Sequence, residues 1–129
     1  MAPVTERLRK RVRAGMAFLD VTNPRWRRSI NLDKLDLSDG ECCVLGEVYG
    51  DYSDGRNALF RDVSELSNDY GATIETESQR RNKMAETFGF WLDDAETPHY
   101  RRLTEIWKEE YRRGQAQARR EAAAKAARA

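Results

Sequence analysis

Tyr100-Arg101-Arg102-Leu103-Thr104-Glu105-Ile106-Trp107-Lys108-Glu109-Glu110-Tyr111 is the stretch on which the fold turns. Tyr100, Leu103, Ile106, Trp107 and Tyr111 recur at spacings of three and four, so they share one face of a helix. Arg101, Glu105, Lys108 and Arg112 take the other face, with opposite charges three and four residues apart. Ahead of this stripe, Thr97-Pro98 offers a cap residue and a first-turn proline, which predicts the helix start. Behind it, the apolar stripe stops at Gly114. Residues Gln115 to Ala129 are Ala, Gln, Arg, Glu and Lys alone, which favour helix and bury nothing large. They predict an Ala-rich helical extension that frays.

The other end of the chain repeats the pattern. Val4, Leu8, Val12, Met16 and Leu19 predict an amphipathic helix over Thr5 to Leu19, with Lys10 and Arg13 opposite the stripe and Arg7, Arg9 and Arg11 on its flanks. Gly15 weakens that helix unless a neighbour packs closely there. Between the two ends the signals are shorter. Asn23-Pro24 opens a short helix carrying Trp26 and Ile30. Ile30 to Leu37 reads as an extended connector, with a short strand as the alternative. Ser38-x-x-Glu41 has the spacing of a capping box for a helix through Val44, Leu45, Val48 and Tyr49, closed by Gly50. Asp51 to Asn57 reads as a loop, Leu59 to Leu66 as a helix, and Ala72 to Thr76 as a short strand or loop. A further helix, about Glu77 to Thr87, ends at Gly89, with Phe90, Trp91 and Leu92 as an apolar plug.

The expected fold is therefore mainly α: one small helical domain of about five helices over residues 1–113, with minor short strands at most, and a helical or frayed tail over 114–129. At 129 residues the chain supports one core. Its charged share, 35%, exceeds the usual figure of about 25%, so that core is thin and its helices strongly two-faced. The net charge of +1 conceals a segregation. Residues 1–30 hold eight Lys/Arg against two Asp/Glu, and residues 98–129 hold nine against four. Residues 31–60 hold two against seven, and 61–97 four against nine. Either the basic ends lie against the acidic middle, or they jointly face an anionic partner.

Residue chemistry argues against catalysis. His99 is the single histidine, and no motif supplies it with a partner. Cys42 and Cys43 are adjacent, a spacing that does not staple distant segments and points to a reducing compartment. In the first turn of the Ser38-capped helix a thiol would gain acidity from the helix dipole, but a packed cysteine is the commoner outcome. No zinc spacing exists, and Glu47, Asp51 and Asp54 lack the alternation of a calcium loop. Phosphate-cradling glycine motifs are missing too. No run reaches the roughly 18 apolar residues of a membrane span, and the charged N-terminal residues do not resemble a secretory leader. The expectation is a cytoplasmic, non-catalytic protein without cofactor or metal.

Arg25-Trp26-Arg27-Arg28 is the densest basic and aromatic cluster. With Arg9, Arg13 and Arg101 it forms the candidate contact set for a partner protein or a nucleic acid, the arginines on phosphates and Trp26 on a base. The alternative places Trp26 in the core with its arginines flanking it.

Trp26-x-x-x-Ile30-Asn31-Leu32-Asp33-x-Leu35-Asp36-Leu37 is followed by Cys43-Val44-Leu45-Gly46-Glu47-Val48-Tyr49-Gly50-Asp51-Tyr52, and later by Gly89-Phe90 and Tyr100-x-x-Leu103-Thr104-x-x-Trp107. This series resembles a family of small proteins of actinobacteria and their bacteriophages, which has glutamine at the position of Glu47. The similarity spans about residues 15 to 111 and is interrupted between Ser64 and Arg81, as by an insertion. It implies an actinobacterial or phage accessory protein and carries no mechanism with it. The leading expectation is an accessory protein that binds and modulates a host or viral protein. A small nucleic-acid-binding regulator using the basic ends, and a virion or assembly component, are the alternatives. The oligomeric state stays open.

Overall fold

The computed structural model describes residues 3–61 and 77–128. Its elements are α1 (Val4–Thr22), a 3-10 turn (Trp26–Ser29), α2 (Val44–Tyr49), α3 (Tyr52–Leu59), α4 (Glu77–Thr87), a 3-10 segment (Asp94–His99) and α5 (Tyr100–Ala127). The fold is mainly helical, and among the described residues there is no strand. Ile30 to Leu37 is a connector of turns, while the expected helix end at Val63 to Leu66 and the segment Ala72 to Thr76 lie outside the described residues.

α1 and α5 run side by side and supply most of the core. Leu8, Val12, Met16 and Leu19 of the first face Leu103, Ile106, Trp107 and Tyr111 of the second, all buried. Burying each such aliphatic side chain contributes roughly 2 kcal/mol against its exposed state. Gly15 of α1 is packed against Phe88 and the Trp107 ring of α5. A Cβ there would collide with the Phe88 carbonyl oxygen and press on the Trp107 ring, so the predicted close contact is found. Trp107 stacks on Phe90 with centroids 5.6 Å apart and donates Nε1–H to the Gly89 carbonyl at 2.7 Å. Trp26 is fully buried, edge-on to Trp107 and Tyr111. Its own N–H goes to Asp20 at 2.8 Å. α4 lies against α1 and α3, and Phe88, just after it, joins Phe18 and Phe60 in a second aromatic group.

Several local expectations are corrected. Ser38 and Glu41 form no capping box. Asp36 accepts from the Ser38 N–H and hydroxyl, and Asp39 accepts from the Glu41 and Cys42 N–H groups, so residues 36–43 become consecutive turns. α2 starts later and is capped by Cys43, whose Sγ accepts from the Gly46 N–H at 3.2 Å. Gly50, with φ of 104°, ends α2 as expected. The predicted loop 51–57 is largely α3. Asp51 caps it by accepting from the Asp54 N–H at 2.7 Å, and Gly55 is buried where a Cβ would press on Leu45 and Tyr49. Thr97-Pro98 does not open α5. Asp93 caps a 3-10 segment four residues earlier, Pro98 sits inside it, and α5 begins at Tyr100. Beyond Tyr111, α5 continues through Gly114 to Ala127 as unbroken helix.

Candidate binding surface

The arginines of α1 are occupied within the fold. Arg9 donates Nη1 to Glu110 and Nη2 to Glu109, both at 2.9 Å, and Arg13 donates Nε to Glu110 at 2.7 Å. Glu110 is only 7% exposed. Burial pushes its carboxyl up, but the hydrogen bonds from Arg13 and Arg9 outweigh this and hold it below the usual carboxylate range. Arg7 and Arg11 meet Glu96 at 3.0 and 3.1 Å. The basic first helix is thus neutralised partly by the acidic middle, through Glu96, and mainly by glutamates of the basic last helix.

Arg27 has a different setting. Its guanidinium lies 4.6 Å over the Trp26 ring and 5.9 Å from the Tyr111 centroid, with Asp20 at 3.8 Å from Nε. Tyr111 donates its hydroxyl to the Arg27 carbonyl at 2.9 Å, which fastens the 3-10 turn to α5. Arg25 precedes that anchored turn and Arg28 lies in it, both exposed. Arg101 lies at the opposite end of α5, 94% exposed, in an open polar groove shared with Asp33, Asp36 and Lys108. Of the six arginines singled out in the sequence, the structure sets Arg27 against Tyr111 and Gly114 of α5, with Arg25 and Arg28 its exposed neighbours in the chain. Arg9 and Arg13 stand in the α1–α5 ion-pair cluster, and Arg101 stands apart.

The second half of α5 projects beyond the core as an exposed helix. α5 spans 28 residues, about 42 Å at 1.5 Å per residue. From Arg112 to Arg128 it carries six Lys/Arg and one Glu, and residues 117–128 are all exposed. The buried half acts as a ready nucleus, so Ala, Arg, Gln and Lys can propagate helix beyond the core at little cost. Gln117 adds a hydrogen bond to Glu121 at 3.0 Å, one turn on. Sequence reasoning registered the basic composition here but did not name these residues. It also passed over Glu110, although this residue falls on the apolar stripe between Trp107 and Tyr111, where a charge requires a buried partner.

The nucleophile and ligand candidates have local roles. Cys43 is buried, and burial pushes its thiol up to about 11, the reverse of an activated thiolate. Cys42 is raised as well, by desolvation and by the Asp39, Glu47 and Glu41 carboxylates around it. His99 is half-buried at the N-cap position of α5. Asp51 caps α3, and Glu47 accepts from the Asn31 N–H at 2.9 Å. Among the described residues, no three His, Cys, Asp or Glu side chains cluster to hold a metal ion, and no helix is long and apolar enough to cross a membrane. No protein-family model, no curated protein and no solved structure matches this chain.

Proposed function

We propose that this chain is a non-catalytic nucleic-acid-binding module that docks through the basic end of α5, with Arg25 and Arg28 alongside. One observation carries the reading: between positions 112 and 128, α5 presents six exposed Lys/Arg against one acidic residue. A cationic helix fits the width of a duplex major groove, and its alanines allow close approach to the phosphates. The carboxylates of Asp33, Asp36, Asp39 and Glu41 belong to the connector that meets the first half of α5, where Leu37 N–H bonds Thr104. A duplex is therefore engaged by the half of α5 beyond Gly114, away from those carboxylates.

The test is a salt titration of duplex affinity by fluorescence anisotropy. Five or six phosphate contacts give a slope of about −5 in log K against log salt. Replacing both Arg119 and Arg120 by Gln lowers its magnitude by about 2. Absence of duplex binding by micromolar protein at about 50 mM salt overturns the proposal.

A second reading keeps the surface and changes the partner: an accessory protein that modulates an acidic host or viral protein. It draws on Val21, a large apolar side chain 83% exposed and four residues before Arg25, the kind of group that contributes in protein interfaces. Under it, polyglutamate binds more tightly than duplex at equal salt.

A further inference from the structure

We propose that the groove between α1 and the second half of α5 is a binding site for a phosphate group. The groove encloses about 320 Å³ and is lined by Arg13, Asp20, Arg27, Glu110, Arg113 and Gly114, so three guanidiniums from three elements converge on it. Of its two carboxylates, Glu110 is engaged through both oxygens and Asp20 through one. Glu110 holds Arg9 and Arg13 through both oxygens, with Arg113 4.0 Å away, and the Asp20 oxygen takes the Trp26 N–H. Counting Glu109 with them, four arginines face three carboxylates and leave one positive charge unmatched.

Arg27 carries the unmatched donor. Its Nη1 is closed off from solvent and has no acceptor. A buried donor left without a partner costs about 1 to 3 kcal/mol and calls for an explanation in a native structure. The guanidinium cannot relax freely, because the faces of Trp26 and Tyr111 hold it. An oxyanion in the groove needs only a small shift of the side-chain end to receive Nη1. It also takes the fork of Arg113, which is 67% exposed and paired to Glu110 only through Nη1, at 4.0 Å.

Gly114 points the same way. A glycine inside a helix costs about 1 kcal/mol relative to alanine. Here a Cβ would stand 2.8 Å from Arg27 Nη1, so glycine keeps the guanidinium lying across the α5 backbone at the groove wall. The site does not depend on the nucleic-acid reading: the projecting residues beyond Gln117 lie outside it, and either can fail alone.

The experiment uses the full chain with inorganic phosphate, balanced by chloride at equal ionic strength. Millimolar phosphate raises Tm by about 3 °C and shifts the Gly114 amide and Trp26 indole resonances saturably. Gly114→Ala displaces Arg27 while favouring helix. It therefore holds or raises Tm in chloride and loses the phosphate response. Arg113→Gln weakens the response about tenfold. Identical Tm and unmoved resonances in phosphate and chloride overturn the site, as does an undiminished response in both variants. Repeating the titration with the variant lacking Arg119 and Arg120 separates the two proposals. A retained phosphate response with lost duplex binding supports both, whereas a response lost along with duplex binding refutes a separate site. A 5′-phosphorylated duplex that competes with inorganic phosphate, where its unphosphorylated counterpart does not, identifies the source as a nucleic-acid end.

Discussion

At the scale of single residues, two glutamates titrate in opposite senses. Glu110 is held below the ordinary carboxylate range, so its contribution to stability is present above about pH 4.3 and is lost as pH falls through the depressed folded value. Glu110→Gln keeps the shape and removes the charge that Arg9 and Arg13 bind, and it costs about 2 kcal/mol in urea denaturation at neutral pH. The gap between wild type and variant closes on acidification. A gap that stays constant to the acid limb would refute the ionised pairing. Glu47 is raised, first by burial, with the Asn31 N–H and Lys34 pulling the other way. Its Oε1 is shut in without a donor. Stability linked to this group is complete below the ordinary carboxylate value and is lost as pH climbs through the raised one, so its carboxylate weakens the fold at pH 7. Glu47→Gln therefore gains about 1 kcal/mol near pH 7 and nothing near pH 4, as read from denaturation midpoints.

At the scale of elements, legibility followed the width of the apolar stripe. α1 and the core half of α5 were readable because their buried residues repeat over two or more turns, as Leu8, Val12, Met16 and Leu19 do, whereas α4 was read from Met84, Phe88 and the closing Gly89. α3 was not, because its buried position is Gly55 and its exposed ones are Ser53, Asp54 and Asn57, the composition of a loop. The available signal was Asp51-x-x-Asp54, a cap followed by a first-turn acid. Asp51→Ala should cost about 1 kcal/mol, measured by thermal unfolding. Gly15→Ala should cost about 2 kcal/mol or more despite improving helix propensity, because the Phe88 carbonyl and the Trp107 ring occupy the space. A neutral or stabilising result would mean that the α1–α5 approach is looser than described. The binding surface was half legible. Arg25, Arg27 and Arg28 follow from local clustering, but the loss of Arg9 and Arg13 to Glu110 depends on which face of α5 meets α1, and sequence spacing does not encode that pairing.

At the scale of the molecule, α5 is one continuous helix with two mechanical regimes. Leu103, Ile106, Trp107, Glu110 and Tyr111 are buried, so opening their turns exposes the core and amounts to global unfolding. Residues 117–128 are exposed on every side, so their amides open by fraying from the C-terminal end. Hydrogen exchange should therefore record a gradient along a single helix: protection near the global stability around Trp107, falling toward nothing by Lys125. A duplex lying along the basic half makes contacts that the frayed state cannot make, so it should slow exchange over residues 117–127 and leave the core amides unchanged. This selectivity follows from the division of charge. The arginines of α1 are engaged within the fold, through Glu110, Glu109 and Glu96, whereas the cations of α5 beyond Gly114 face solvent. Uniform protection along α5 in the free protein would mean that the basic half is covered by something else, and a duplex that protects α1 instead would place the binding surface elsewhere.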